Sequence, residues 1–217
     1  MTALVLLDSD AARKLCQYQL LSELTRALQC SFQNFAVLPQ LRFQLRLADR
    51  QAAIKKLGSE EAFAQALDLV QQAKTVEVQI EYSNRLLVLD RPDIDSGEAV
   101  LFAALVQHND AQMISGDKRA FVALSKIDGE PLLDMLWVRF ICLEEALLII
   151  LDSEDFDQVS MKVRARADVD KALNLAFGRS VAAERASVLS ALSSYINDLK
   201  KDTGRKYLAP SEKPLVL

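Results

Sequence analysis

A single histidine, His108, and the absence of any Gly-x-Ser-x-Gly turn leave this chain little with which to build a triad hydrolase. It has no Gly-x-x-x-x-Gly-Lys-Ser/Thr loop either, which removes the usual nucleotide triphosphatase. Its cysteines, Cys16, Cys30 and Cys142, are odd in number, far apart and in no paired ligand spacing. They read as reduced, mostly buried thiols and not as a zinc site or a disulfide frame. No apolar stretch reaches the roughly 18 residues that span a bilayer, and Met1-Thr2-Ala3 runs into a short apolar segment without a basic leader or a cleavage site. The expectation is a cytoplasmic protein with no membrane partner. Internal repeats and low-complexity tracts are missing too.

What is present is ordinary globular material: 217 residues, 51% hydrophobic, enough for one sizeable core and an appendage. The net charge of −4 is unevenly spread, because residues 1–155 carry 15 Lys and Arg against 23 Asp and Glu, whereas residues 156–217 carry 11 against 7. The basic part suits a polyanion or complements the acidic part before it, and a solvated helix face explains the same charges.

Up to residue 155, short apolar runs alternate with longer stretches of helical period, the pattern of an α/β fold. Leu4 to Leu7, Phe35 to Leu38 and Gln112 to Ser115 predict strands. Val76 to Ile80 alternates like a half-exposed edge strand, Leu86 to Leu89 fits a strand or a short helix, and Trp137 to Cys142 is strand-like. Helices are expected from Ala11 to about Gln29, from Pro39 to Gly58, from Ser59 to about Ala73, from Asp95 or Ser96 through Leu105, from Lys118 to Lys126, over Pro131 to Leu136, and from Glu144 to Leu151. Asp152 to Asp157 breaks the pattern. Beyond it, an amphipathic helix carrying Val169, Leu173 and Phe177 and another from Val181 to Leu199 meet near Gly178. The expected organisation is one domain over 1–155, then a helical appendage over 156–217 ending in a loose tail with Pro210 and Pro214.

Three carboxylates stand just beyond apolar runs: Asp8 after Leu4 to Leu7, Glu98 in Asp95-Ser96-Gly97-Glu98, and Asp117 after Gln112 to Gly116. If the runs before Asp8 and Asp117 are parallel strands, their loops open on the same edge, the carboxyl edge where open α/β sheets place ligands. Carboxylates gathered there repel one another unless a divalent cation lets them stay ionised. Each also has a plain explanation. Asp8 and Asp10 fit a cap for the helix starting near Ala11, Asp95 with Glu98 fits a capping box, and Asp117 sits where another helix begins. Glu98 is the one capping explains least, since it shares a helix face with Leu101, Phe102 and Leu105 and should lie beside the core. His108 is expected to end that helix at the surface.

The order Leu7-Asp8, then Asp95-Ser96-Gly97-Glu98 with an Ala-rich apolar helix, then Ile114-Ser115-Gly116-Asp117-Lys118-Arg119-Ala120-Phe121, resembles the PIN domain, a family of metal-dependent ribonucleases. The resemblance covers about residues 3–150, with Trp137 to Leu151 standing where that fold completes itself. It implies a three-layer fold with a central, mostly parallel sheet flanked by helices. It also implies acidic residues that bind one or two Mg²⁺ or Mn²⁺ ions and activate water to cleave single-stranded RNA. Asp8, Glu98 and Asp117 match the family's motif acids. A further acid usually comes from the helix after the second strand, where the matching position is Gln44, which offers a neutral oxygen and no charge. Asp10 and Asp95 are candidates to compensate. Arg13, Lys14, Lys118 and Arg119 follow the acids closely enough to meet flanking phosphates, or are exposed helix charges.

Gln44 keeps a catalytically degenerate nucleic-acid binder in view. Leu6-Leu7-Asp8-Ser9-Asp10 also resembles the opening of a haloacid-dehalogenase-like phosphatase, although the Gly or Thr usual after the second Asp is absent and Glu98 is left unexplained. A toxin-antitoxin or other interaction module is a third alternative. PIN toxins resemble residues 1–155 alone, so residues 156–217 are then a surface for a protein partner, a homodimer or RNA, or they dock on the chain's own core.

Overall fold

The computed structural model describes residues 3–81, 86, 93–127 and 131–213. Strand β1 (Val5–Leu7) leads through Asp8 into α1 (Ser9–Gln17) and α2 (Leu21–Ala27). Strand β2 (Phe35–Val37) is followed by α3 (Leu41–Gln44), α4 (Arg50–Leu57), α5 (Glu60–Gln72) and the short β3 (Lys74–Thr75). Then come α6 (Ser96–Gln107), β4 (Gln112–Ser115), α7 (Lys118–Ser125), α8 (Pro131–Asp134) and β5 (Phe140–Cys142). The chain closes with α9 (Leu143–Ser153), α10 (Phe156–Arg164), α11 (Lys171–Ala176) and α12 (Arg185–Asp202).

The five strands form one sheet in the order β3-β2-β1-β4-β5, every pair parallel. This is the expected α/β class, with helices on both faces of the sheet. Because parallel strands are covered on both sides, their side chains alternate between two cores. Val5, Leu7, Phe35, Val37, Ile114 and Ile141 face α1, α2, α5 and α9, while Leu6, Ala36, Met113 and Phe140 face α6 and α7. Helix α12 belongs to both, giving Val188 and Leu192 to the first core and Ile196 and Leu199 to the second. The apolar stripe of residues 156–202 is therefore covered by the chain's own core, with Val159, Val163, Leu173 and Phe177 buried in it.

Several boundaries differ from the expected ones. The helix expected from Ala11 to Gln29 is two, broken at Gln19, whose φ of 56° lets its carbonyl accept from Lys162 Nζ at 2.9 Å. The helix expected from Pro39 to Gly58 is also two, broken at Arg46 with φ 59° and restarted by Asp49, which caps Ala52 N at 3.0 Å. Both breaks are fixed by long-range partners or local caps that helical periodicity does not register. The edge strand is Lys74–Thr75 and not Val76 to Ile80, since only Val76 N still reaches Val37 O and Ile80 is left exposed. The expected strand at Trp137 begins with a 3₁₀ turn and pairs only from Phe140. Helix α10 was not anticipated; Asp155, read as part of a break, is its N-cap. The last helix begins at Arg185 and not at Val181. The tail is tied down as far as Lys213, which pairs with buried Glu145, while Tyr207 is fully buried. Residues 87–89 and Pro214 fall outside the described residues. Gly58, at φ 98°, ends α4 in the left-handed conformation expected of a C-terminal glycine, with the Arg166 guanidinium packed against it.

Candidate functional site: an acidic cleft at the carboxyl edge

The register Leu7↔Ile114 and Ser115↔Cys142 aligns the carboxyl ends of β1, β4 and β5, so the residues after each strand emerge together. A cleft of about 300 Å³ opens there, with Asp8, Glu98 and Asp117 in its wall together with Asp10, Asp95 and Gln44. All six residues expected to supply oxygen to one site thus meet in one place. Two stretches of backbone build it. Asp8 N donates to Ile114 O at 3.0 Å, locking the β1 exit against β4, and Gly116 passes so close to the Asp10 carboxylate that a side chain at 116 would collide with it.

Each carboxylate is also a helix cap. Asp8 accepts from Asp10 N at 3.2 Å, Asp117 from Arg119 N at 2.9 Å, and Asp95 and Glu98 exchange backbone hydrogen bonds at 2.8 Å in a capping box. Capping and clustering are both present, because three helices start at this edge. Ser115 Oγ sits between two of the acids, donating to Asp8 Oδ2 at 3.4 Å and accepting from Asp117 N at 3.1 Å.

Burial separates the three. Asp8 is 7% and Glu98 8% exposed, and neither has an ion-pair partner among the described residues. Burial, reinforced by Asp10, raises the Asp8 carboxyl above its usual range. Glu98 is pushed up to about 7, by burial first, with Asp95, Asp117 and Asp8 adding repulsion against the hydrogen bond from Asp95 N. Asp117 goes the other way: the Arg119 guanidinium, 2.7 Å from its Oδ2, holds it below the carboxylate range.

The donor chemistry, three carboxylates with the Gln44 amide lining the same cleft, is of the hard-oxygen kind that a divalent cation such as Mg²⁺ or Mn²⁺ takes. As they stand the carboxylates are occupied with caps and with Arg119, and among the described residues no three Asp, Glu, His or Cys side chains form a metal-holding group.

The basic residues expected to meet phosphates divide. Arg13 lines the cleft, hydrogen-bonded to Gln17 at 2.9 Å and paired with Asp10. Arg119 is 87% exposed at the rim. Lys14 instead bridges Asp10 at 3.0 Å and Asp170 at 2.7 Å, and Lys118 pairs with buried Glu144 at 2.6 Å and lies over the Tyr195 ring; both tie the C-terminal helices to the sheet edge. Lys56 and Ser9 also line the cleft and were not anticipated. Ser9 Oγ is buried without a hydrogen-bond partner among the described residues. Its place between Asp8 and Asp10 is a signal in the sequence, whereas nothing local in Lys55-Lys56 marks a site residue, because α4 is brought over by tertiary packing. His108 ends α6 at the surface as expected.

Fold and site together define an α/β protein with an acidic cleft at the carboxyl edge of a parallel sheet. No protein-family model, no curated protein and no solved structure matches the chain. Among the described residues no helix is long and apolar enough to cross a membrane.

Proposed function

We propose that this chain is a PIN-like, Mg²⁺- or Mn²⁺-dependent ribonuclease that hydrolyses phosphodiester bonds of single-stranded RNA in the acidic cleft. The observation that carries the reading is that Asp8 and Glu98 are buried, line one cleft with Asp117, and have no ion-pair partner among the described residues to neutralise them. Burying carboxylates this way is unfavourable for folding alone. Asp8, Glu98 and Asp117 would hold the ion, with Asp10, Asp95 and Gln44 as outer oxygens. A bound divalent ion supplies a more acidic water and offsets charge developing on the phosphate. The chain's own groups do the rest. On filling of the site Glu98 would give up its proton and Asp117 would turn from Arg119, leaving Arg119 with Arg13 and Lys56 to hold the phosphates beside the scissile one. The three free thiols suit the reducing cytoplasm in which we place the enzyme.

Incubation of single-stranded RNA with Mn²⁺ is expected to give cleavage that stops in EDTA and is lost in Asp117→Asn with unchanged circular dichroism. Full activity in EDTA, or in that variant, would overturn the proposal. Gln44 and the Asp117–Arg119 pair favour one second reading, an RNA-binding module that does not cut. Retention of RNA without cleavage at any Mn²⁺ concentration selects it.

A further inference from the structure

One wall of the cleft is unlike its floor. The segment from Gln40 to Gly58, which supplies Gln44, Leu45 and Lys56 to the cleft, carries Arg42, Arg46, Arg50, Lys55 and Lys56 against the single acid Asp49. All five basic side chains are exposed. Arg50 pairs with Glu60 at 2.9 Å, and among the described residues the other four have no ion-pair partner. Beside Gln44 in the same segment, just outside the residues that line the cleft, stands Phe43, 72% exposed. The Arg42 guanidinium lies over its ring, 5.6 Å from the centroid.

Packing does not require an aromatic there. Leu41 and Leu45 on either side are the buried residues that anchor α3, at 0% and 1% exposure, so Phe43 points away from the core its neighbours serve. A large exposed ring is unfavourable in water unless something covers it. The cover must suit a flat π-face, a cation stacked beside it, unpaired positive charge on both flanks and an acidic site one residue away. A nucleobase on an unpaired strand has that chemistry: its face stacks on phenylalanine and on guanidinium, and its phosphates meet the basic side chains. A double helix keeps its base faces stacked inside and could not use the ring.

We propose that Phe43, with Arg42, is a base-stacking platform for single-stranded nucleic acid, and that the wall formed by Arg42, Arg46 and Lys56 tracks the backbone of the same strand into the acidic cleft. The proposal deepens the ribonuclease reading by fixing where the strand enters, and it rests on that reading only for the direction of travel. Binding to the platform itself needs no metal and no cleavage. Phe43 is a specificity-determining residue here and takes no part in the chemistry.

The test is fluorescence anisotropy of the full chain with a labelled single-stranded RNA of about ten nucleotides in EDTA, so that binding is read without cleavage. A matched duplex and a 2-aminopurine-containing strand report on stacking. Wild type is expected to bind the single strand more tightly than the duplex and to quench 2-aminopurine. Phe43→Ala should weaken single-strand binding about 5- to 100-fold and abolish the quench, while Phe43→Trp retains both. Lys56→Ala should lower affinity for all sequences alike and reduce the salt slope by about 1. Because Phe43 is exposed, its substitution leaves the fold intact, checked by thermal melting. Equal affinity in wild type and Phe43→Ala would overturn the platform even if RNA is cleaved, and so would the absence of single-strand binding by wild type. A dimer that dissociates in Phe43→Ala would overturn it too, by giving the ring a protein partner. RNA binding that depends on Phe43 without Mn²⁺-dependent cleavage would keep the platform and sink the nuclease.

Discussion

Two groups of buried acids lie side by side at the carboxyl edge of the sheet, and they are treated in opposite ways. After β5, Glu144 meets Lys118 at 2.6 Å, and Glu145 is paired with Lys213 and accepts from the Tyr207 hydroxyl, which in turn accepts from Cys142 N at 2.8 Å. These acids come with their own cations and donors, as a buried carboxylate must if its role is structural. After β1 and at the start of α6, Asp8 and Glu98 are also buried and accept only hydrogen bonds from Asp10 N, Ser115 Oγ and Asp95 N, with no ion-pair partner among the described residues. The same edge thus holds a completed set and an incomplete one. The contrast is what the proposed cation would explain.

The largest expected effect lies on the incomplete side. Asp8→Asn or Asp117→Asn should lower Mn²⁺-dependent cleavage at least about 100-fold, reflecting the several kcal/mol that a held metal contributes, while urea denaturation changes little. On the completed side the pattern should reverse. Glu145→Ala strands the Lys213 ammonium and the Tyr207 hydroxyl, and is expected to cost about 3–5 kcal/mol in urea denaturation. If Asp8→Asn destabilised the metal-free protein as strongly as Glu145→Ala does, the two sets would be alike and the comparison would collapse.

A smaller effect follows from Glu98. Its folded-state value of about 7 lies above the ordinary 4.5, so between those pH values the folded chain holds the proton more tightly than the unfolded one. Stability of the metal-free protein should therefore fall as pH rises from about 4.5 to about 7. Glu98→Gln keeps an acceptor for Asp95 N and removes the charge. It is expected to be more stable than wild type by about 2 kcal/mol at pH 8, with the gap closing toward pH 4.5, as read by urea midpoints across that range. The smallest effect belongs to Ser115→Ala, which removes the hydroxyl between Asp8 and Asp117 N and should cost about 1 kcal/mol.

Much of the incomplete set could be read from sequence. Asp8, Glu98 and Asp117 each follow or begin an element with a strong local signal, and Glu98's spacing from Leu101, Phe102 and Leu105 anticipated its burial. The strands β1, β2 and β4 were legible as short apolar runs for the same reason. The completed set was not legible. Tyr207 and Lys213 lie in a segment that reads as a loose tail, and only the contact with Glu145, 62 and 68 residues earlier in the chain, gives them a role. The breaks at Gln19 and Arg46 were missed on the same grounds: a positive φ at a glutamine or an arginine carries no periodic or compositional mark. Lys14 and Lys118 read from sequence as phosphate contacts or exposed helix charges, and no local feature points to Asp170 and Glu144 as their partners.

The most direct test of the central claim is Mn²⁺ binding to the full chain, followed by electron paramagnetic resonance with parallel measurement of released protons. Wild type is expected to bind Mn²⁺ more tightly at pH 8 than at pH 6 and to release protons on binding near pH 7, as Glu98 ionises. Both signals should be lost in Asp117→Asn and the proton release in Glu98→Gln. No saturable binding at pH 8, or equal binding by wild type and Asp117→Asn, would contradict it.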